Sequence, residues 1–270
     1  LDTLKMGIIA LVIYPILPLE AVDPWRVINL RQIWLFVILV SLIGYTGYIL
    51  IRILGAERGL TLTGILGGLA SSIAVTSSLA EESKINPQLL SSAVFATAIA
   101  SSTVFPRVFF IAAIVNKEVL PDLFIPLLTM TAVGVALAYI SHRKSPPQGG
   151  EVKVSDPFRI LPALKLGSLF ALVLIISRLA GLYFGDTGIY AASILSGLVD
   201  VDAITLSMAT LARSTLTPSM AATSITLAVI ANTLVKLGMA YLLGSREFGN
   251  RTAAILLPMA LAGILSMLLI

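Results

Sequence analysis

The sequence predicts an all-α, polytopic transmembrane helical bundle. Of its 270 residues, 57% are hydrophobic and 12% are charged, and the mean hydropathy is +1.00. Soluble domains carry about 25% charged residues. The apolar runs are continuous and do not alternate with period two, which favours helices over a barrel. The net charge of +4 comes from basic residues scattered between these runs. They are expected to face lipid headgroups, so we predict a multi-pass protein of the cell membrane that has no nucleic-acid partner.

A helix that crosses a bilayer needs about 20 mostly apolar residues. On this criterion we predict nine membrane segments. The first is short and contains Pro15 and Pro18, so a re-entrant segment is the alternative to a span. The predicted segments cover residues 4–19, 33–53, 60–80, 88–115, 120–141, 163–184, 187–211, 218–244 and 252–270.

A polar linker over residues 142–157 divides the chain. It is rich in proline, glycine and charge, and its basic cluster continues to Arg159 and Lys165. Such a cluster is expected on the cytoplasmic side of the membrane. We therefore predict an N-terminal half over residues 1–141, with an extra first segment, and a C-terminal half over residues 158–270.

The two halves resemble each other. Residues 64–84 align without gaps over residues 193–213 at an offset of 129, with eight identities in 21 positions. After a two-residue shift, Pro87 aligns with Pro218. Repeated halves often build a transport site at their interface. The repeats are parallel if every element spans and inverted if one is re-entrant, and duplication for packing alone is the alternative reading.

Asp200 and Asp202 lie near the middle of the apolar run 187–211. An aspartate at the centre of a bilayer costs about 3 kcal/mol, so these two residues predict a functional polar site, with a structural ion pair as the alternative. Residues two apart on a helix point about 200° away from each other. Both carboxylates can face one site only if the helix is broken, and Gly197 makes a break there feasible.

Lys236 and Arg107 are the candidate basic partners, unless both extend toward the membrane surface. Asn232 lies one helical turn before Lys236 on the same face. Hydroxyl groups in both halves could ligate weakly or bond the carbonyls of their own helix. The predicted substrate or ion site consists of Asp200, Asp202, Asn232, Lys236, Thr205, Ser71, Ser72 and Thr76, with Arg107 as charge partner and Asp200 and Asp202 as metal ligands.

Small residues four apart recur in both halves. Gly64 and Gly68 form one such pair, and Ser193 and Gly197 form the other. Small residues at this spacing allow neighbouring helices to approach closely. We therefore expect close helix contacts near both parts of the predicted site.

Several kinds of site are excluded by composition. The chain has no cysteine and one histidine, His142, which lies in the linker. This excludes disulfides, thiolate metal sites and serine–histidine catalysis within the membrane, and the sequence has no HExxH motif. We therefore expect a protein that is not an enzyme and carries no cofactor other than a bound cation.

Four stretches resemble a known family, and the resemblance covers nearly the whole chain. The C-terminal membrane domain of unknown function of MgtC/SapB-type membrane proteins is similar to LVIYPILP (11–18), the stretch over 28–80, GLVDVDAITLSMATLA (197–212) and ANTLVKLGMA (231–240). The resemblance implies that Asp200, Asp202, Asn232 and Lys236 match signature stretches of that family. It also implies an MgtC-like domain as a partner and a link to magnesium homeostasis, which belongs largely to that other domain.

These observations predict a secondary transporter or channel for a small ion or solute. The two acids favour a cation, and Mg²⁺ prefers carboxylates together with retained waters. Proton coupling and an anion bound by Lys236 and Arg107 are alternatives for the same residues. A non-transporting regulatory or scaffold subunit in ion homeostasis is the alternative function, and a homo-oligomer also stays open.

Overall fold

The computed structural model describes residues 12–18, 20–22, 29–35, 37–39, 42, 46, 59–143 and 160–268. Every regular element in these ranges is helical, which confirms the predicted all-α class. The predicted segments 4–19 and 33–53 lie largely outside the described residues. Within them the structure has a single turn of helix, Tyr14–Ile16, and helical residues between 30 and 39.

Eight longer helices form the rest of the described chain. Short 3₁₀ turns, Pro87–Leu89 and Lys117–Val119, precede the second and the fourth. The helices are α1 (Gly59–Ile85), α2 (Leu90–Ser102), α3 (Val104–Val115), α4 (Leu120–Arg143), α5 (Ile160–Val199), α6 (Val201–Leu211), α7 (Pro218–Leu243) and α8 (Arg246–Met267).

Five helical stretches are long and apolar enough to cross a membrane, against the nine segments predicted for the whole chain. These five candidate spans support a membrane-embedded protein. They are Pro87–Val115, Lys117–Ser141, Gly167–Val199, Pro218–Leu243 and Arg246–Met267. Helix α4 continues to Arg143, so the first two residues of the predicted linker are helical, and residues 144–159 lie outside the description.

Helix α1 is a hairpin of two arms. Ser71 has extended backbone angles (φ −165°, ψ 101°) and separates an arm over 59–70 from an arm over 72–85. Gly64 of the first arm packs against the backbone of Ala96 in α2, and Gly68 packs against that of Ala100, so this arm and α2 run in the same direction. The second arm ends just before the turn that leads into α2. Both arms therefore open where α2 begins, and Ser71 forms the tip of this first hairpin.

Helix α5 reverses direction at Gly185. The residue has φ 60° and ψ −146°, which glycine adopts without the steric cost of a Cβ. A Cβ on Gly181 would lie 3.0 Å from the side chain of Ile189, although residues eight apart in a straight helix are about 12 Å apart. The predicted boundary between segments 163–184 and 187–211 coincides with this reversal.

The chain from 186 to 211 forms a second hairpin. Asp200 is extended (φ −156°, ψ 125°) and separates the arm 186–199 from α6. The hydroxyl of Ser193 donates to the sulfur of Met208 at 3.7 Å, so residues on either side of the break lie side by side. The two arms are therefore antiparallel, and Asp200 forms the tip of this second hairpin.

The two hairpins open at opposite ends of the helix bundle. The first opens near the end of α7, because the backbone N–H of Ser245 donates to the Ser83 hydroxyl at 3.0 Å. The second opens near the start of α7, because α6 ends at Leu211, seven residues before Pro218. At this end Arg213 donates to the carbonyl of Val115 at the end of α3. Since α7 runs from one opening to the other, the tips point toward each other.

Candidate functional site

Asp200 interrupts the helix at the tip of the second hairpin and caps α6. Its Oδ1 accepts a hydrogen bond from the backbone N–H of Ala203 at 2.9 Å, and aspartate is among the most favoured residues for this role. The predicted break is therefore present, but it lies at Asp200 and not at Gly197. Gly197 instead allows close packing, because a Cβ there would lie 2.6 Å from the Cα of Ala228 in α7.

The extended backbone at Asp200 changes the relation between the two acids. In a continuous helix Asp200 and Asp202 would point apart, but here Asp200 lies outside the regular helix. Asp202 is 5% exposed and lies in the first turn of α6, and Asp200 is half-buried and is the N-cap of the same helix. Both carboxylates therefore belong to one buried site.

Arg107 of α3 connects the two hairpin tips. Its Nη2 lies 3.0 Å from Oδ1 of Asp202, and its Nη1 donates to the carbonyl of Leu69 at 3.1 Å. Leu69 lies two residues before the tip of the first hairpin, and Asp202 lies two residues after the tip of the second. Both charged side chains are mostly buried, and Oδ1 of Asp202 accepts no hydrogen bond from the described residues, so the contact with Arg107 is a buried ion pair without an aligned hydrogen bond.

Lys236 of α7 is a buried cation that does not pair with the aspartates. Its side chain is fully buried, which rules out extension to the membrane surface. Its Nζ has no hydrogen-bond partner among the residues that the structure describes. One helical turn earlier on the same helix, Asn232 donates to Gly197 just before the second tip, and Arg107 pairs with Asp202 just after that tip, so both cations belong to the same part of the bundle. Of the two predicted basic partners, Arg107 pairs with Asp202, whereas Lys236 has no counter-charge among the described residues.

Asn232 contacts the second hairpin through the backbone. Its Nδ2 donates to the carbonyl of Gly197 at 3.4 Å. Carbonyls at the end of a helix lack partners within that helix. Asn232 and Arg107 thus play similar parts at the two hairpins. Asn232 donates to the Gly197 carbonyl just before the second tip, and Arg107 donates to the Leu69 carbonyl just before the first.

The tip of the first hairpin resembles that of the second. The hydroxyl of Ser71 accepts from the backbone N–H of Ala74 at 3.2 Å, which is an N-cap for the arm 72–85. The alignment at an offset of 129 places Ser71 over Asp200. From the sequence, Ser71 was expected only as a weak ligand, and this break was not predicted. The signal was a serine that can cap a helix, aligned with an aspartate at an offset of 129.

Two of the other predicted hydroxyls, those of Thr76 and Thr205, bond to their own helices. Thr76 donates to the carbonyl of Ser72 at 2.8 Å, and Thr205 donates to that of Val201 at 2.7 Å. The side chains of Ser72, Thr76 and Thr205 are all buried. Thr76 and Thr205 therefore offer a ligand their oxygen lone pairs and not a proton.

Metal binding by Asp200 and Asp202 stays a prediction. Within the described ranges there is no group of three or more His, Cys, Asp and Glu side chains that could hold a metal ion. Each aspartate already uses one carboxylate oxygen, Asp200 for the helix cap and Asp202 for Arg107. A cation here would need backbone carbonyls or waters as further ligands, which suits Mg²⁺ better than a fully protein-ligated metal.

Comparison with known proteins shows that the sequence is similar to a family of unknown function and to a protein described as uncharacterized. Residues 38–244 match the family described as "Domain of unknown function (DUF4010)". A protein of Aquifex aeolicus (strain VF5), described as "Uncharacterized protein", is 33% identical over 192 residues, which are 70% of this chain and 84% of that protein. No solved structure matches.

Proposed function

We propose that this chain, which belongs to the DUF4010 family, is a secondary transporter for a small ion whose site lies between the two hairpin tips. The observation that carries the proposal is the Arg107–Asp202 ion pair, which joins two broken helices that enter the bundle from opposite ends. Charged groups within membrane segments commonly mark ion or substrate pathways. Broken helices near the midplane are the usual way in which secondary transporters present a site.

The proposed architecture is an inverted repeat. Each unit would consist of a hairpin followed by two spans, over residues 59–143 and 186–268. Support comes from the tips, since Ser71 and Asp200 align in sequence, share extended backbone angles and both cap the next helix. Because the hairpins open at opposite ends, the repeat is proposed as inverted and not parallel.

The length of the arms supports a site near the middle of the bilayer. The arms 72–85 and 186–199 are each about 20 Å long at 1.5 Å per residue, against about 30 Å for the hydrocarbon core. Irregular backbone at that depth is tolerated only within protein or beside a water-filled cavity. Movement of one hairpin at a time would open the site to one side of the membrane.

For the transported ion we propose a cation, with Mg²⁺ as the first candidate. Asp200 is the half-buried acid of the pair, and only one of its carboxylate oxygens is used in capping α6. Mg²⁺ is commonly held by one or two carboxylates with several waters. The resemblance to MgtC/SapB-type proteins adds the magnesium preference, and a proton that titrates Asp200 is the coupled alternative.

A non-transporting regulatory or scaffold subunit is the second candidate function. The observation in its favour is that Arg107 already neutralises Asp202 and fixes both tips in one position. In that view the charged cluster would only hold the helices together. The two functions differ in whether removal of the Asp200 charge affects ion movement.

Flux into proteoliposomes separates these functions. The purified chain is reconstituted, and uptake of Mg²⁺, Na⁺ and protons is measured for wild type and Asp200→Asn. Asparagine retains the oxygen that caps α6, so the variant removes the charge while it keeps the hairpin. The matched control is Glu118→Gln, an exposed acid outside the site.

We expect uptake of at least one cation in wild type and Glu118→Gln, and its loss in Asp200→Asn. Absence of flux for every ion in all three proteins would favour the scaffold. Equal flux in wild type and Asp200→Asn would place the pathway elsewhere.

A further inference from the structure

Lys236 is a buried lysine for which the described residues supply no partner. Its ammonium group is fully buried and has no hydrogen-bond partner among the described residues. A buried charge is normally paired, because an apolar environment cannot replace the water that it loses. For Lys236 to remain charged, a counter-charge from outside the described residues is required.

The acids of the site are already committed. Asp202 pairs with Arg107 at 3.0 Å, and Asp200 caps α6 under the influence of the same arginine. On α7, Asn232 one turn earlier donates to Gly197 and is engaged with the second hairpin. Arg107, the other cation beside the second tip, has the same sign as Lys236 and cannot neutralise it.

Two neighbouring buried cations form an anion site when one of them lacks a counter-charge. Arg107 uses Nη1 and Nη2, while its buried Nε has no partner among the described residues. Planar guanidinium donors and an ammonium group together match carboxylates and oxyanions. The first turns of α6 and of the arm 72–85 begin at the same two tips and add partial positive charge from their free N–H groups.

We propose that an anion with a carboxylate or inorganic oxyanion group binds between Lys236 and Arg107, beside the hairpin tips. This inference rests on the proposed transport function and names a second ligand for its site: a cation at Asp200 and an anion at Lys236. The pair would cross together, so that neither buried charge is left uncompensated.

Anion binding is tested without a membrane gradient. The protein is purified in an uncharged maltoside, and its Tm is measured with sodium chloride, sulfate, phosphate or succinate at constant sodium concentration. A separate sample in sodium chloride receives phosphatidylglycerol. The variants are Lys236→Met, which removes the charge at similar length, and Lys236→Arg, which keeps it. Lys117→Met, at an exposed lysine distant from the tips, is the matched control.

We expect sulfate, phosphate or succinate to raise the Tm of wild type and Lys117→Met in a saturable manner, relative to chloride. The rise should persist in Lys236→Arg, and Lys236→Met should bind at least about tenfold more weakly. Without added anion, Lys236→Met should melt above wild type, because its buried charge is gone. This second readout also shows that the variant folds.

Three results would overturn the anion site. These are equal stabilisation of wild type and Lys236→Met, no stabilisation by any of the three anions, and a Lys236-dependent rise that only an anionic lipid such as phosphatidylglycerol produces. Flux data keep the two proposals distinct. Anion binding at Lys236 without any flux would refute transport alone, whereas cation flux that ignores both the anion and Lys236→Met would refute the anion site alone.

Discussion

Replacement of Arg107 and Asp202, singly and together, tests whether their ion pair holds the hairpin tips in place. The informative variants are Arg107→Met, Asp202→Asn and the double variant. At 3.0 Å and an effective dielectric constant near 20, the attraction is roughly 5–6 kcal/mol before desolvation is subtracted. Removal of one partner from a buried pair typically costs about 3–5 kcal/mol, because the other charge is left unpaired.

The surroundings predict an order among the variants. Arg107→Met should be the more damaging change, because it leaves Asp202 facing Asp200 and also removes the donor to the Leu69 carbonyl. In Asp202→Asn, Arg107 keeps that carbonyl and the influence of Asp200. The double variant should lose less stability than Arg107→Met alone, since no buried charge of the pair remains.

Unfolding by sodium dodecyl sulfate, followed by far-ultraviolet circular dichroism, gives the free energy of unfolding of each variant. The matched control is Glu247→Gln, which breaks the exposed pair of Glu247 with Arg251 at 2.5 Å. This pair is shorter but exposed, so its loss should cost only about 0.3–0.5 kcal/mol. Additive losses within about 0.5 kcal/mol for Arg107→Met and Asp202→Asn would refute the idea that the two tips are coupled through this pair.

Two further predictions concern the hairpins. Gly197→Ala should lower the free energy of unfolding by about 1–3 kcal/mol, because the new Cβ meets the rigid backbone of Ala228. The control is Gly238→Ala on α7, whose Cβ meets nothing within 4 Å and which should be neutral or stabilising. Equal effects of the two variants in thermal melts would contradict the close contact. Ser71→Ala should lower the free energy of unfolding by about 0.5–2 kcal/mol, because the helix cap is lost. Ser71→Asp can cap the helix again and should restore the stability. A Ser71→Ala protein with wild-type stability in the same melts would show that the cap is dispensable.

The sequence was informative about class and about Asp200, because both follow from local properties. An aspartate in an apolar run must have a polar purpose, and the spacing of Asp200 and Asp202 required a break if both were to serve one site. The position of the break was off by three residues, because Gly197 was read as a flexible point although its role is close packing. Ser71 was missed as a break because serine is common inside membrane helices, where it bonds its own helix.

The choice of partner could not be predicted from spacing. Lys236 and Arg107 lie at similar depths in their segments, and nothing local decides which of them reaches Asp202. The packing of the helices determines the partner, because α3 places Arg107 where its side chain contacts both Leu69 and Asp202. A contact between elements that are distant in sequence depends on the whole bundle.

The charges of the site are distributed unequally between the two proposed repeat units. The second unit contributes Asp200, Asp202 and Lys236, whereas the first contributes Arg107 and a neutral tip at Ser71. A symmetric ancestor with acids at both tips would place like charges opposite each other, while one arginine facing one acidic tip creates attraction across the interface. The asymmetry therefore gives the second hairpin the ion-binding role in our proposal and leaves the first hairpin, with its Leu69 carbonyl bound by Arg107 and its cap at Ser71, as the partner against which it closes.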